Sequence, residues 1–417
     1  MFYLLFAAYL TFFCWLLPRI KFVKQSGISS KSIILLFLIK VYVGVIYGFL
    51  SYYFKIQSDN WEMHFQSIEE YHLLFSNPKK YLIDLFHDNY KNNYGGFMDT
   101  TDSYWNLLRS QIMSKILSLF DIFSGCNYYI NTIFYNFLTF FGFISLYKVF
   151  KKVYPGKEKL LMISIFLLPS LLYFTSGIHK DGLIFLGISV TAYNFHIMLT
   201  ENKFVWKRMI ILILGLSIIF LLRNFVMITL LPALIAWFFA VKNKKYVPQT
   251  FLIIYCLFTI MFFSMYHMGP GADLPRYVSE RQIAFIKISS NATSAININP
   301  LFPDFRSFMN NAPQAINHSL MRPYLTEKLS LSFLLSAGEI FCYELLFLLF
   351  IFFPHKQSKN EPFIWFGIFF SLSMMMIIGY TIPIIGAIVR YRSIYFPFIL
   401  IPLLCGIDWK KILSKSY

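Results

Sequence analysis

The chain is a succession of long apolar runs separated by short connections, and that pattern limits the fold more than any single motif. The runs cover approximately 2–18, 33–54, 128–150, 160–174, 183–199, 209–222, 224–241, 251–268, 331–354, 362–380 and 393–407. A helix needs roughly 20 apolar residues to cross about 30 Å of hydrocarbon. Backbone polar groups in lipid must be satisfied within the spanning segment, and continuous apolar runs do not alternate as barrel strands do. The expected fold is therefore all-α: a polytopic integral membrane bundle of about eleven transmembrane helices. A 57% hydrophobic, 14% charged composition agrees, and residues 1–417 are read as a single integral membrane domain. Residues 1–18 lack a basic leader and a small-residue cleavage site, so they are expected to be a retained helix.

Basic residues orient the runs. Arg19, Lys21, Lys24 and Lys31 follow the first; Lys151, Lys152, Lys157 and Lys159 follow the third. Lys203, Lys207 and Arg208, then Lys242, Lys244 and Lys245, then Lys356 and Lys359 continue the series, and Lys410, Lys411 and Lys415 close the chain. Every second connection is basic and short, which predicts a cytoplasmic C-terminus and an N-terminus outside. The net charge of +17 is then a topology and lipid signal, and no nucleic-acid partner is expected. The five cysteines show no metal-type spacing and read as small core residues.

Two connections, 55–127 and 269–330, are long and fall outside. In the first, Trp61, Phe65, Ile68, His72 and Phe75 share one helical face, with Asp59, Glu62, Gln66, Glu69 and Glu70 opposite. This predicts an amphipathic surface helix. After Gly95-Gly96, Asp102 or Ser103 can cap a second helix with the stripe Trp105, Leu108, Ile112, Ile116 and Leu119. The second long connection carries a predicted helix from Pro275 to Ile288, then an Asn- and Pro-rich stretch through Pro323.

The polar residues that stand out lie at the outer ends of runs. The octapeptide Thr175-Ser176-Gly177-Ile178-His179-Lys180-Asp181-Gly182 forms the tip between two apolar runs. Arg223-Asn224 interrupts another long run, and Arg390 and Arg392 precede the last. Ionisable groups at the edge of hydrocarbon usually face a cavity or a partner. Arginine forks and a lysine suit phosphate oxygens, and a nearby carboxylate can take a proton from a hydroxyl. On this reading Asp59 and Glu62 are the candidate catalytic acids, with Asp99 and Asp102 in reserve; His179, Lys180, Arg223, Arg390 and Arg392 are the candidate phosphate-binding residues. Each has an ordinary alternative: Lys180 and Asp181 can neutralise each other in a turn, Asp59 and Glu62 can be a solvated face, and arginines at span ends can snorkel to headgroups. His64 falls off the Asp59–Glu62 face, so no metal site is assigned. No cofactor is assigned, and a divalent metal is left open. No HExxH, CxxC, P-loop or GxSxG pattern occurs.

The acidic residue opening the first outer loop, the surface helices of that loop, and Arg390-Tyr391-Arg392 followed by Pro397 resemble the GT-C superfamily of polytopic glycosyltransferases. The resemblance implies a polyprenyl-phosphate-linked sugar donor, a glycan or lipid acceptor, Asp59 (or Glu62) as base, and Arg390 among the donor-phosphate ligands. The chain departs from that pattern in placing the acidic loop after the second span, and in splitting the Asp-Glu pair as Asp59-Asn60-Trp61-Glu62. The tip and the Arg-Tyr-Arg stretch also resemble bacterial O-antigen and exopolysaccharide polymerases, which act on lipid-diphosphate glycans. The expected setting is a bacterial inner membrane, with membrane lipid as a further partner. A glycolipid flippase is the third reading.

Overall fold

The computed structural model describes residues 1–54, 59–85, 104–201, 205–266, 268, 273–289, 292–328, 330–355 and 361–414. Gly95-Gly96, Asp99, Asp102, Ser103, Lys203, Asn291, Lys356, Lys359 and Lys415 lie outside the described residues, as does the Trp105 side chain. Among the described residues the chain is helical, with no strand and two isolated bridges, Ala295 with Ile384 and Pro354 with Ile407. The helices begin with α1 (Phe2–Leu16), α2 (Lys21–Lys24), α3 (Ser30–Tyr53), α4 (Asp59–Ser76), α5 (Pro78–Ile83), α6 (Tyr104–Ser124) and α7 (Tyr128–Val153). There follow α8 (Glu158–Phe166), α9 (Pro169–Ser176), α10 (Lys180–Glu201), α11 (Trp206–Leu222), α12 (Phe225–Lys242) and α13 (Val247–Ser264). The chain ends with α14 (Leu274–Ser289), α15 (Phe305–Ile316), α16 (Leu331–Phe352), α17 (Pro362–Thr381), α18 (Ile385–Tyr395), α19 (Pro397–Gly406) and α20 (Trp409–Ser414).

Among the described residues, eight helical segments are long and apolar enough to cross a membrane, and ten spans result if each of two bent pairs counts as one. This is a multi-pass helical membrane protein. The remaining expected run, 209–222, is at the short end of what crosses a bilayer. It forms α11, 17 residues long, because Arg223 leaves the helical region at φ −149°. The bends, 52° between α8 and α9 and 59° between α18 and α19, have a local cause. Pro169 and Pro397 each open the second helix of their pair, and proline can neither donate to nor fit against the preceding turn.

The described residues form two compact units. The first includes Met1–Phe97, Asp102–Phe150 and Phe166–Asn224. Its interior is aromatic: Phe37 packs on Phe140, Phe185 on Phe143, and both Phe140 and Phe143 on Phe166. Helices α7 and α10 are buried on nearly all sides, which explains why their sequences are apolar all round rather than amphipathic. Small residues allow the closest approaches. A Cβ on Gly187 of α10 would lie 2.9 Å from the Gly215 carbonyl of α11. Gly44 and Gly48 of α3 leave room for α7: a Cβ there would come within 2.7 Å of Thr132 Cγ2 and 2.9 Å of Tyr128 Cζ respectively.

The second unit includes Lys151–Ile165 and Phe225–Tyr417. Helix α17 is its centre, with α12, α14, α15, α18 and α19 packed around it. The predicted helix of the second long connection is present as α14. The Asn- and Pro-rich stretch also holds a helix, α15, which the sequence reading left unassigned. Asp304 caps it, accepting from the Ser307 N–H at 2.9 Å. Phe308 and Ala315 face a cluster with Tyr277, Val278, Leu301 and Tyr380. The cap and that i, i+7 spacing were visible signals, masked by composition.

Candidate functional site

Four polar side chains of the first unit meet at the tip between α9 and α10. The tip is set by packing. The Tyr135 hydroxyl donates to the His179 carbonyl, and Asn136 Nδ2 donates to the Ser176 carbonyl at 2.8 Å. Lys40, buried within α3, donates to the Thr175 carbonyl at 2.8 Å and lies 3.3 Å from both the Thr175 and Ser176 hydroxyls. Tyr135 is seven residues into α7, so the tip sits about 10 Å inside that helix's start, at 1.5 Å per residue. It is recessed, where the sequence reading placed it at the outer surface.

Helix α4 closes over the recess. Trp61 stacks on Tyr128 with centroids 4.1 Å apart and donates to the Gly48 carbonyl at 2.9 Å. Asn60 Nδ2 donates to the Tyr128 hydroxyl at 2.9 Å. Phe65 and Phe75 remain exposed, as an outward apolar face requires, but Trp61 is half-buried against Tyr128. The face of α4 that packs inward is Asn60, Met63, His64 and Ser67, a mixed stripe the amphipathic reading did not single out. The facing stripe of α6 is Met113, Ser114, Lys115, Leu117, Ser118 and Asp121. The expected Leu119 is exposed instead. The contacts are polar: Gln66 with Ser114, Glu70 with Lys115 at 2.6 Å, and Ser67 with Asp121 at 2.7 Å. Burial holds the His64 pKa below its usual value, with the Asp121 charge acting the other way.

The resulting chain runs from surface to interior. Asp59 Oδ2 lies 3.1 Å from His179 Nε2, His179 Nδ1 lies 2.7 Å from Asp181 Oδ2, and Asp181 Oδ1 lies 2.6 Å from an Arg223 terminal nitrogen. Side-chain exposure falls from 52% at Asp59 to 2% at His179 and 0% at Asp181, with Arg223 at 7%. The arrangement follows from helix ends. Asp181 lies in the first turn of α10, where the dipole favours an anion. Arg223 caps the C-terminus of α11, and the glycine-mediated crossing of α10 with α11 brings the two ends together. Each imidazole nitrogen faces a carboxylate oxygen, and Nδ1 also accepts from the Asp181 N–H at 3.3 Å. Asp181 thereby fixes the ring so that Nε2 is aimed at Asp59. The assembly can pass a proton between an exposed carboxylate and a buried, oriented imidazole.

The other sequence candidates are placed differently. Glu62 is exposed and accepts from Gln66 at 3.4 Å, so of the two acids only Asp59 reaches the imidazole. Lys180 is half-buried at the first position of α10. Arg223 faces Asp181. Arg392, in the second unit, donates to the Ser319, Leu320 and Arg322 carbonyls at 2.9, 3.4 and 2.8 Å. It thus holds the end of the π turn that follows α15. Arg390 lies 3.3 Å from the Tyr391 hydroxyl and over its ring. Sequence reasoning undervalued Asp181, taking it as a partner of Lys180, and missed Lys40. A lysine in the middle of an apolar run was a readable signal. Among the described residues no group of three His, Cys, Asp or Glu side chains is placed to hold a metal ion. Comparison with family models, with curated proteins and with solved structures finds no match to this chain.

Proposed function

We propose that the protein is a membrane glycosyltransferase, acting at the outer face of a bacterial inner membrane on a polyprenyl-phosphate-linked sugar. The observation that supports it is the Asp59–His179–Asp181 chain: an exposed carboxylate backed by an imidazole that a buried carboxylate orients. In this reading the Asp59 carboxylate takes the proton of an acceptor hydroxyl. The hydroxyl oxygen forms a bond to the anomeric carbon as the bond from that carbon to phosphate oxygen breaks. The phosphate leaves with the electron pair, and inversion results. His179 holds Asp59 in place and stabilises its charge before transfer. Lys180, next in the chain to His179, supplies a cation for the leaving phosphate.

The test is in vitro transfer by purified protein from a polyprenyl-phosphate sugar, alongside donor binding. Asp59→Asn is expected to lower turnover at least 100-fold, within the range general-base loss produces, and to leave donor binding intact. Glu62→Gln is expected to have little effect. Near-normal transfer by Asp59→Asn removes this mechanism. Because His179 is held by Asp181 independently of Asp59, a polymerase using a lipid-diphosphate donor is the second reading. It predicts that Asp59→Asn is tolerated while His179→Gln is inactive.

A further inference from the structure

The Tyr128 hydroxyl touches the chain neighbours of both members of the Asp59–His179 contact. Asn60, which follows Asp59, donates to it from Nδ2 at 2.9 Å. The backbone of Ile178, which precedes His179, is hydrogen-bonded to it as well. One oxygen therefore ties the start of α4 to the tip between α9 and α10. Asn60 and Tyr128 are both buried, so water does not compete for these bonds. The ring is fixed from two sides. Trp61 stacks on it with 15° between the planes, and His64 meets it edge-on with centroids 5.4 Å apart. Tyr128 shares a face of α7 with Tyr135, seven residues later, and Tyr135 holds the His179 carbonyl.

Asp59 needs such an anchor. It is the first residue of α4, and helix ends fray. His179, by contrast, is buried and held by Asp181 at 2.7 Å. The 3.1 Å between Asp59 Oδ2 and His179 Nε2 is thus set by whatever fixes the start of α4 against the tip. A misplacement of about 1 Å at such a contact can cost on the order of 100-fold in rate. We propose that Tyr128 is a positioning residue of this site: through Asn60 and Ile178, its hydroxyl holds the Asp59 carboxylate against His179. This role rests on the reading of Asp59 as the base, and Tyr128 itself touches neither donor nor acceptor. Trp61 is a second anchor, donating to the Gly48 carbonyl at 2.9 Å, so loss of the hydroxyl loosens the start of α4 without releasing it.

The experiment compares the wild type with Tyr128→Phe, Asn60→Ala, Asp59→Asn, and Tyr128→Phe combined with Asp59→Asn, each as the purified full chain in lipid nanodiscs. Two quantities are read. One is turnover in transfer from a polyprenyl-phosphate sugar. The other is the NMR chemical shift of His179 Nε2 in histidine-labelled protein, assigned by its loss in His179→Gln. Tyr128→Phe keeps the ring and its stacking on Trp61, so the fold is expected to be retained. Turnover is expected to fall about ten-fold with the KM for donor unchanged, and the His179 shift to move from the wild-type value toward that of Asp59→Asn. Asn60→Ala, which cuts one of the two ties, is expected to move both quantities the same way. In the Asp59→Asn background Tyr128→Phe is expected to change neither, because a residue that acts through Asp59 then has nothing to position. A wild-type His179 shift in both Tyr128→Phe and Asn60→Ala overturns the proposal. An equal further loss of turnover in the Asp59→Asn background also overturns it, since that marks a general structural role. If the wild type transfers no sugar while the shift responds as expected, the transferase reading fails and the positioning role stands.

Discussion

Removing the Asp181 carboxylate has the largest consequence that can be worked from the geometry. Asp181→Asn keeps the size of the side chain but leaves Arg223, 7% exposed, without the carboxylate 2.6 Å away, and gives His179 Nδ1 an amide in place of its 2.7 Å carboxylate partner. Breaking a buried ion pair by deleting one member costs about 3–5 kcal/mol, because the surviving charge stays desolvated. That is a large share of the roughly 5–15 kcal/mol that holds a typical domain folded. Replacing both members with uncharged groups of similar shape removes the stranded charge, so Asp181→Asn combined with Arg223→Met is expected to recover about half of the loss. The assay is reversible unfolding of the purified protein in mixed micelles by denaturant titration, run on both single variants and the double. A coupling energy of at least about 1.5 kcal/mol is expected, since directly paired buried charges are strongly non-additive. Additive single effects, within about 0.5 kcal/mol, would falsify the view that Asp181 and Arg223 stabilise each other.

Three further outcomes follow from the same unit. Lys40→Met removes the donor to the Thr175 carbonyl at the end of α9 and is expected to cost about 1–3 kcal/mol, the penalty of a buried acceptor left unmet; an unchanged unfolding midpoint would show that the tip does not depend on it. Gly182→Ala is expected to abolish folded protein or displace the tip, because the new methyl would lie 2.9 Å from both the Thr175 carbonyl oxygen and Tyr135 Cζ; normal yield and activity would refute the close packing. Burial lowers the folded-state pKa of His64 below its usual 6.5, so between those two values the unfolded chain binds more protons. Stability is then expected to fall as pH drops below about 6.5, and His64→Gln to flatten that part of the profile, read as thermal midpoint against pH.

The sequence by itself determined the class of this protein and the course of its backbone. Long apolar runs can satisfy their backbone in lipid only as helices, so their existence and approximate ends were legible from α1 to α19, and so were the surface helices α4 and α14. The break at Arg223 was legible as well, whereas 160–174 and 393–407 were read as unbroken runs and the bends at Pro169 and Pro397 came only with the structure. What only the tertiary structure decided is which polar groups meet. Asp59 and His179 are 120 residues apart, and no periodicity relates them. They are brought together because Gly44, Gly48 and Gly187 permit close helix approach and because Tyr135, Asn136 and Lys40 pin the recessed tip. A local reading paired Asp181 with its neighbour Lys180, and grouped Arg392 with Arg390 by proximity in the chain. In the fold Asp181 faces Arg223 and Arg392 holds three carbonyls. The physical reason is desolvation: a charge buried among packed helices takes whichever partner the helix crossings deliver, and sequence distance sets no limit on that choice.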